Sequence, residues 1–268
     1  MDITADEIMV VCIAHQLHDG DVVAQGLATP LVAAGYLLAR YTHAPDLYFA
    51  SAIGQGMCRQ PAPLSISQIE SLWLDRALSN IGFARAATEI LPSLRPKEFF
   101  RPAQVDAQGN INNIAFGKDY RHPRMRLPGT GGIPDVTTFL NDIYLYVPRH
   151  SRVTFVSRLD FCAGLGHNEA RTQGKGPSYL ISDLGQFDFQ DGKLRLVSYH
   201  PGCTIERIQK NTGFPLEIAV HAGQTPLPTA EEIDLLRKEI DPAGIRKLET
   251  LSGASRRELL HKILAAGG

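Results

Sequence analysis

The chain has 268 residues, of which 44% are hydrophobic and 21% charged, as is usual for a soluble globular protein. Its 27 basic and 28 acidic residues give a formal net charge of -1, so no excess of positive charge is available to attract nucleic acid. The longest apolar run, Ile8 to Ala14, is far shorter than the roughly 20 residues of a membrane helix. Composition therefore argues against a nucleic-acid partner and against a membrane protein.

The four cysteines are far apart in the sequence, at Cys12, Cys58, Cys162 and Cys203. Their spacing excludes a zinc-binding pair and a C-x-x-C redox motif, and no H-E-x-x-H motif is present. The first seven residues also lack the basic and apolar regions of a signal peptide. We therefore expect a protein of the reduced cytoplasm that holds no metal ion.

The first 52 residues predict a strand, a helix and a second strand after an initial helix. Thr4 to Glu7 form a capping box, which opens a helix that ends near Gly20. A buried strand is expected over residues 21–27, and a helix runs from Thr29-Pro30 to about His43. A second strand follows over residues 47–52. This order predicts a βαβ unit and therefore a parallel sheet.

The middle of the chain is less regular. Helices are expected over Ser67–Ser79 and Ala84–Leu91, whereas Pro92, Pro96 and Pro102 predict an irregular stretch after them. A glycine loop over residues 128–134 precedes a short helix that begins at Asp135.

The last part alternates strands and helices. Strands are predicted over Ile143–Val147, Tyr179–Phe189 and Leu194–Tyr199, with a hairpin turn at Asp191-Gly192. Helices are predicted over Thr204–Asn211 and Thr229–Ile240. No linker divides the sequence, so we expect one α/β domain over residues 1–268.

The glycine loop contains Gly129-Thr130-Gly131-Gly132 just before a predicted helix. Glycines allow the backbone to approach a ligand closely, and free N–H groups there favour negative charge. Such a loop could bind a phosphate or stabilise an oxyanion, but an ordinary tight turn would give the same pattern.

Two further segments are candidates for a site. Residues 103–112, which include Gln104 and Asn110, predict a turn with local side-chain hydrogen bonds, which by itself is more often structural. Ser51-Ala52-Ile53-Gly54 follows an inner strand, and open α/β sheets bind ligands at the carboxyl ends of strands. Alanine at position 52 nevertheless contributes no reactive group.

Cysteine and histidine offer weaker alternatives. Cys58 would be a nucleophile if its thiol were activated, although an inert buried cysteine is commoner. His167 and Glu169 could be an acid–base couple, although a histidine on a surface loop is commoner, and His122 and His200 are isolated in sequence. The sequence contains no G-x-S-x-G, Walker or G-x-G-x-x-G motif.

In their order along the chain, these segments resemble the β subunit of family I coenzyme A (CoA) transferases, most closely the glutaconate type. The matching segments are Gly20 to Val23, Ala44 to Asp46, Ala103 to Asp106 with Gly109-Asn110, Pro128 to Gly132, Leu180 to Gly185, His200 to Gly202, Asn211 to Phe214 and Ile240 to Pro242. The resemblance implies a three-layer α/β/α open sheet of the CoA-transferase kind. It also implies an α-type partner chain, often in an α2β2 assembly with the active site between the chains. Coenzyme A would then be part of the substrate and not a permanently bound cofactor.

One departure from the family changes the expected reaction. In true transferases of this family, a glutamate in a Ser-Glu-x-Gly segment attacks the thioester. Here Ala52 stands at the glutamate position between Ser51 and Gly54, and residues 47–60 contain no Glu or Asp. Alanine offers no nucleophile, so the covalent route cannot use this position.

Relatives that lack this glutamate decarboxylate 3-methylglutaconyl-CoA or open a carbon ring of steroid-derived acyl-CoA by hydrolysis. The resemblance therefore implies a non-covalent lyase or hydrolase, with Gly131 and Gly132 as the oxyanion cradle and the acid–base group on the α chain. Substrate or CoA would contact the remaining candidate residues, which are Ser51, Ala52, Gly54, Gln104, Asn110 and Gly129. Ordinary CoA transfer with a glutamate from elsewhere, and a non-catalytic CoA-binding subunit, remain the alternatives.

Overall fold

The computed structural model describes residues 2–24, 29–51, 56–60, 63–66, 75–141 and 143–267. The chain forms two compact units. Unit 1 comprises Met1–Glu98 with Leu227–Gly268, and unit 2 comprises Phe99–Pro226. This division does not decide whether residues 1–268 are a single domain, which stays a prediction. Most of the helix predicted over Ser67–Ser79 lies outside the described residues.

The first part of unit 1 contains parallel and antiparallel strands with helices, and the last strand of this part, β5, ends with two residues that belong to unit 2. In chain order its elements are α1 (Ala5–Ala14), β1 (Val22–Ala24), α2 (Pro30–Tyr41), β2 (Tyr48–Ser51), β3 (Gly56–Cys58), β4 (Ser79–Asn80), α3 (Phe83–Arg85), a π-helical turn (Ala86–Ile90), α4 (Leu91–Leu94) and β5 (Lys97–Phe100). The strand order is β5-β1-β2-β3-β4. β1 pairs in parallel with both β5 and β2, and β3 pairs antiparallel with β2 and β4.

The predicted βαβ unit is confirmed, because β1 and β2 are parallel neighbours with α2 between them in sequence. Two other expectations were wrong. Residues 79–80 form a strand where the end of a helix was expected, and Lys97–Phe100 form β5 where the prolines predicted irregular chain. Pro96 and Pro102 lie outside β5, where a missing N–H removes no hydrogen bond from the strand, and Pro92 lies in the first turn of α4.

Unit 2 is built on strands with two short helices. Its elements are β6 (Gln104–Val105), β7 (Ile111–Asn112), β8 (Ala115–Phe116), β9 (Met125–Arg126), α5 (Ile133–Phe139), β10 (Ile143–Val147), β11 (Pro177–Ser182), β12 (Gly185–Gln190), β13 (Lys193–Tyr199), α6 (Ile205–Asn211) and β14 (Glu217–Gln224). The main strands follow the order β14-β13-β12-β11-β10. β10 and β11 are parallel, as are β13 and β14, while β11, β12 and β13 are antiparallel.

In unit 2, the predicted hairpin turn is confirmed and one predicted strand was wrong. Asp191 (φ 50°) and Gly192 (φ 75°) make the predicted hairpin turn between β12 and β13. The single strand expected over residues 179–189 is instead two antiparallel strands, because the backbone turns where the Leu184 N–H donates to the Ser182 hydroxyl at 3.2 Å. β14 was not predicted.

The chain returns to unit 1 through α7 (Ala230–Leu235), a π-helical turn (Leu236–Ile240), a 3₁₀ turn (Ile245–Leu248) and α8 (Gly253–Ala265). Thr229 caps α7 by accepting the Glu232 N–H at 3.2 Å, as the sequence predicts. Parallel and antiparallel strands flanked by helices confirm the predicted α/β class. Among the residues described, no helix is both long and apolar enough to cross a membrane.

Candidate functional site

The glycine loop presents two adjacent backbone N–H groups without partners. Gly129 (φ 105°) and Gly131 (φ 52°) occupy the left-handed region that favours glycine, and no atom lies within 4 Å of a Cβ added at either position. Within the described chain, no hydrogen bond is donated by the N–H of Gly131 or of Gly132. Because α5 has only seven residues, these free N–H groups, and not a helix dipole, are what the loop offers to an oxyanion.

The hairpin of β6 and β7 supports this loop. The Gly129 N–H donates to the Asn113 carbonyl at 3.1 Å, so the loop is tied to the end of the hairpin. Gln104 is buried in β6, where its Oε1 accepts from Asn112 Nδ2 at 2.7 Å and from the Asp160 N–H at 3.0 Å. The Gln104 side chain is therefore held by internal hydrogen bonds.

The turn between β6 and β7 is organised by its own side chains, as predicted. Asp106 Oδ1 accepts the N–H groups of Gln108 and Asn110, both at 3.0 Å. The buried Asn110 amide donates to Asp106 Oδ2 at 2.9 Å and accepts the Gly166 N–H at 2.8 Å. A Cβ at Gly166 would lie 2.1 Å from the Gln108 carbonyl oxygen, so glycine is required at this close approach. Direct substrate contacts by Gln104 and Asn110 stay a prediction.

Ser51, the last residue of β2, is buried and pairs with Gly56 across the β2–β3 ladder. It therefore lies at the carboxyl end of an inner parallel strand, as expected. Ala52 and Gly54 lie outside the described residues, and their roles stay predictions. Within unit 2, the structure joins Gln104, Asn110 and Gly129 through one hairpin, whereas Ser51 belongs to unit 1.

Sequence reasoning missed one titratable residue, Glu98 in β5. The residue is 8% exposed, and burial raises the pKa of its carboxyl to about 7. Within the described parts of the chain, no hydrogen bond or ion pair reaches this carboxylate. The signal that was available in the sequence is the segment 97–101 between Pro96 and Pro102, which contains the apolar pair Phe99-Phe100 and has the length of a short strand.

The alternatives at cysteine and histidine find little support. Cys58 is fully buried, and burial raises its pKa to about 11, so its thiol stays protonated near neutral pH. His167 Nε2 lies 2.7 Å from the Pro177 carbonyl oxygen, and no hydrogen bond to Glu169 occurs in the described part of the chain. Exposed His122 contacts Asp119 at 3.1 Å. Where the structure is described, no three His, Cys, Asp or Glu side chains cluster as metal ligands do.

Several segments that carry the family resemblance meet in a buried hydrogen-bond network of unit 2. His200 Nε2 lies 2.9 Å from the Ser182 carbonyl oxygen, and His150 bridges the hydroxyls of Ser182 and Thr212 at 3.0 and 3.1 Å. Burial lowers the pKa of His150 to about 3 and, against the hydrogen bond to the Ser182 carbonyl, that of His200 to about 4. Both rings are therefore neutral near pH 7, and this network holds the fold together.

Comparison with known proteins gives one consistent picture. A family model described as coenzyme A transferase matches residues 7–211. The β subunit of 3-oxoadipate CoA-transferase from Pseudomonas knackmussii is 32% identical over 87% of this chain and 92% of its own. The cholesterol ring-cleaving hydrolase IpdB subunit of Rhodococcus jostii is 30% identical over 86% of this chain and 89% of its own.

Two solved structures are similar throughout. The decarboxylase AibA/AibB superposes with a TM-score of 0.82 at 31% identity, over 92% of this chain and 99% of that one. Glutaconate CoA-transferase from Acidaminococcus fermentans gives a TM-score of 0.81 at 25% identity, over 94% and 99%. These matches confirm the predicted CoA-transferase-like fold and the resemblance to subunits with and without transferase activity.

Proposed function

Since the chain belongs to the coenzyme A transferase family, we propose that it is the β subunit of a heteromeric enzyme that cleaves a carbon–carbon bond in an acyl-CoA thioester. One combination of features supports the proposal. Within the part of the chain that is described, the glycine loop keeps two N–H groups free of hydrogen-bond partners, yet the sequence has no carboxylate between positions 47 and 60 to form a covalent acyl intermediate.

The chemistry follows from where charge develops. The carbon–carbon bond that breaks is on the α-carbon of the thioester or on a carbon conjugated with the thioester. The electron pair of that bond moves toward the thioester oxygen, which gives an enolate. The N–H groups of Gly131 and Gly132 would stabilise that oxygen, and such a donor is typically worth 10²- to 10³-fold in kcat. Decarboxylation and hydrolytic ring opening both need this stabilisation, and neither needs a glutamyl thioester.

The remaining assignments are those implied by the family. Ser51, Ala52 and Gly54 would border the acyl group, with the small Ala52 side chain leaving room for substrate or water. Gln104 and Asn110 would act mainly by holding the hairpin to which Gly129 is tied. An α-type chain would complete an α2β2 enzyme in the cytoplasm, with CoA arriving as part of the substrate and no cofactor held between turnovers.

Mass spectrometry of the α+β complex after incubation with a panel of acyl-CoAs tests this function. We expect CO2 or a ring-opened acyl-CoA as product, with both chains at unchanged mass. CoA moved between acids without any carbon–carbon cleavage would contradict the proposal.

CoA transfer is the second candidate, because two similar proteins are β subunits of CoA-transferases. It requires a glutamate from outside residues 47–60, on this chain or its partner. Hydroxylamine or borohydride trapping separates the candidates, because only a glutamyl thioester reacts. A CoA adduct on either chain would favour transfer.

A further inference from the structure

Glu98 lies on the same sheet face as Ala50, which is next to the carboxyl end of β2. In the register of β5, β1 and β2, Glu98 is opposite Ala24, and Ala24 is opposite Ala50. Residues in register on neighbouring strands point to the same face, so these three side chains share one face. Leu91 packs against Ala24 and Ala50 there, so the helical segment of residues 83–94 covers this face.

The carboxylate of Glu98 is buried and has no hydrogen-bond or ion-pair partner among the described residues. The side chains that pack against Ala24 and Ala50 on this face are apolar. The carboxylate is nevertheless not sealed. Among described side chains, only the hydroxyls of Thr4 and Thr29 are both inaccessible and without a partner. The Glu98 oxygens are not in that group, so they keep a small area open to solvent.

Its position along the strands is equally specific. Ala50 directly precedes Ser51, where β2 ends, so Glu98 lies level with the last residues of two parallel strands. In open α/β sheets this edge is where ligands bind. A carboxyl that is half protonated near pH 7 can both give and accept a proton, as its pKa of about 7 implies.

We propose that Glu98 is the acid–base group of this subunit, which moves a proton between its carboxyl and the carbon of the acyl-CoA that carries the enolate charge. The inference rests on the proposed function. In a decarboxylation, the bond to CO2 breaks, its electron pair enters the enolate, and the Glu98 proton forms the new C–H bond. Water then returns a proton to the Glu98 carboxylate.

Ring opening uses the same group in the reverse order. The Glu98 carboxylate takes a proton from the water that attacks the ring carbonyl, the carbon–carbon bond breaks toward the thioester, and Glu98 gives that proton to the enolate carbon. The acid–base group was expected on the α chain, and Glu98 places one on this chain.

Among the described residues, the other charged or titratable groups on or over this face are exposed or half-buried. Tyr48 of β2 shares the face, and the covering helical segment carries Arg85 and Glu89, which bind each other at 2.9 Å. Lys97 is adjacent in β5 but points to the other face, where it pairs with Asp21 at 2.7 Å. Burial alone accounts for the raised pKa of Glu98.

The test compares Glu98→Gln with the exposed control Glu89→Gln, each assembled with the α chain. Two readouts are taken on one acyl-CoA panel, namely carbon–carbon cleavage and exchange of the α-hydrogen of acyl-CoA in D2O. Since glutamine has the same shape but no transferable proton, we expect Glu98→Gln to lose roughly 10²- to 10⁴-fold in both rates at unchanged acyl-CoA affinity. The control should remain within 2-fold of the wild type.

The outcomes separate the two proposals. Turnover in Glu98→Gln within 2-fold of the wild type would overturn the role of Glu98 and leave the proposed function intact. A wild-type complex that cleaves no carbon–carbon bond would overturn the proposed function. In that case, an α-hydrogen exchange rate that falls in Glu98→Gln would still support the acid–base role of Glu98. An exchange rate that is equal in the two proteins, or a wild type without exchange, would overturn that role.

Discussion

Two of the buried charges in unit 1, Arg246 and Glu98, have opposite surroundings. Arg246 is 2% exposed, and its guanidinium donates to Asp6 at 2.8 Å, to Asp241 at 2.8 Å and to Glu7 at 3.0 Å. Glu98 is buried almost as deeply and has no such partner within the described residues. A buried ion cluster with complete hydrogen bonding is compatible with a stable fold, whereas a lone buried carboxylate lowers stability.

The pKa directions express the same contrast. For Glu7, burial raises the pKa, but hydrogen bonds from Arg237 and Thr4 and the charge of Arg246 outweigh burial and bring it to about 2. For Glu98, nothing opposes burial, and its pKa rises to about 7. A charged group that costs stability and titrates near pH 7 is a candidate for chemistry, and a fully paired one is a candidate for structure.

The largest effect is expected from removing the cation of the cluster. Arg246→Met leaves Asp6, Glu7 and Asp241 buried without their shared partner, and we expect a loss of about 3–5 kcal/mol in the free energy of unfolding. Urea denaturation at pH 7 measures it. The matched control is Lys238→Met, which breaks an exposed pair with Asp234 and should cost less than about 1 kcal/mol. Similar losses in both variants would mean that the cluster contributes no more than a surface pair.

The next effect has the opposite sign. Because the pKa of Glu98 is raised from 4.5 to about 7 on folding, the wild type loses stability as pH rises through that window. Glu98→Gln escapes this loss, so we expect it to be more stable than the wild type by about 3 kcal/mol at pH 8 and equal to it at pH 4. Thermal unfolding across this pH range measures the difference. A difference that does not change with pH would show that Glu98 is ionised equally in both states.

The smallest effect is expected at the rim of the cluster. Arg237 is partly exposed and binds both carboxylate oxygens of Glu7, at 2.7 and 2.8 Å. We expect Arg237→Met to lower the free energy of unfolding at pH 7 by less than Arg246→Met does, since Arg237 is partly exposed and Glu7 keeps its hydrogen bond from Arg246. Glu7 contributes stability above pH 4.5 that is lost as pH falls toward 2, so acid unfolding of the variant should begin at higher pH. An unchanged acid midpoint would contradict the part assigned to Arg237.

Local signals explain the successful predictions. The Thr29-Pro30 start of α2, the Asp191-Gly192 turn and the Thr229 cap each depend on neighbours within a few residues, and each is present in the structure. The Asp106–Asn110 turn was also predictable, because its hydrogen bonds stay within five residues.

The failures share a dependence on distant partners. β5 contains only four residues between prolines, and it becomes a strand because β1 pairs with it. The contacts of Arg246 with Asp6 and Glu7 span about 240 positions, and no pattern in the sequence announces them. For the same reason, the isolation of Glu98 could be read only from the fold, while the glycine loop and the missing glutamate were visible in the sequence itself.

The Arg246 cluster also dictates when unit 1 can be finished during synthesis. Its acidic members Asp6 and Glu7 leave the ribosome long before Arg246, with the whole of unit 2 between them. Until Arg237 and Arg246 emerge, the two carboxylates of the first helix lack the arginines that bind them in the folded protein. Unit 1 can therefore complete this cluster only after the whole of unit 2 has been synthesised.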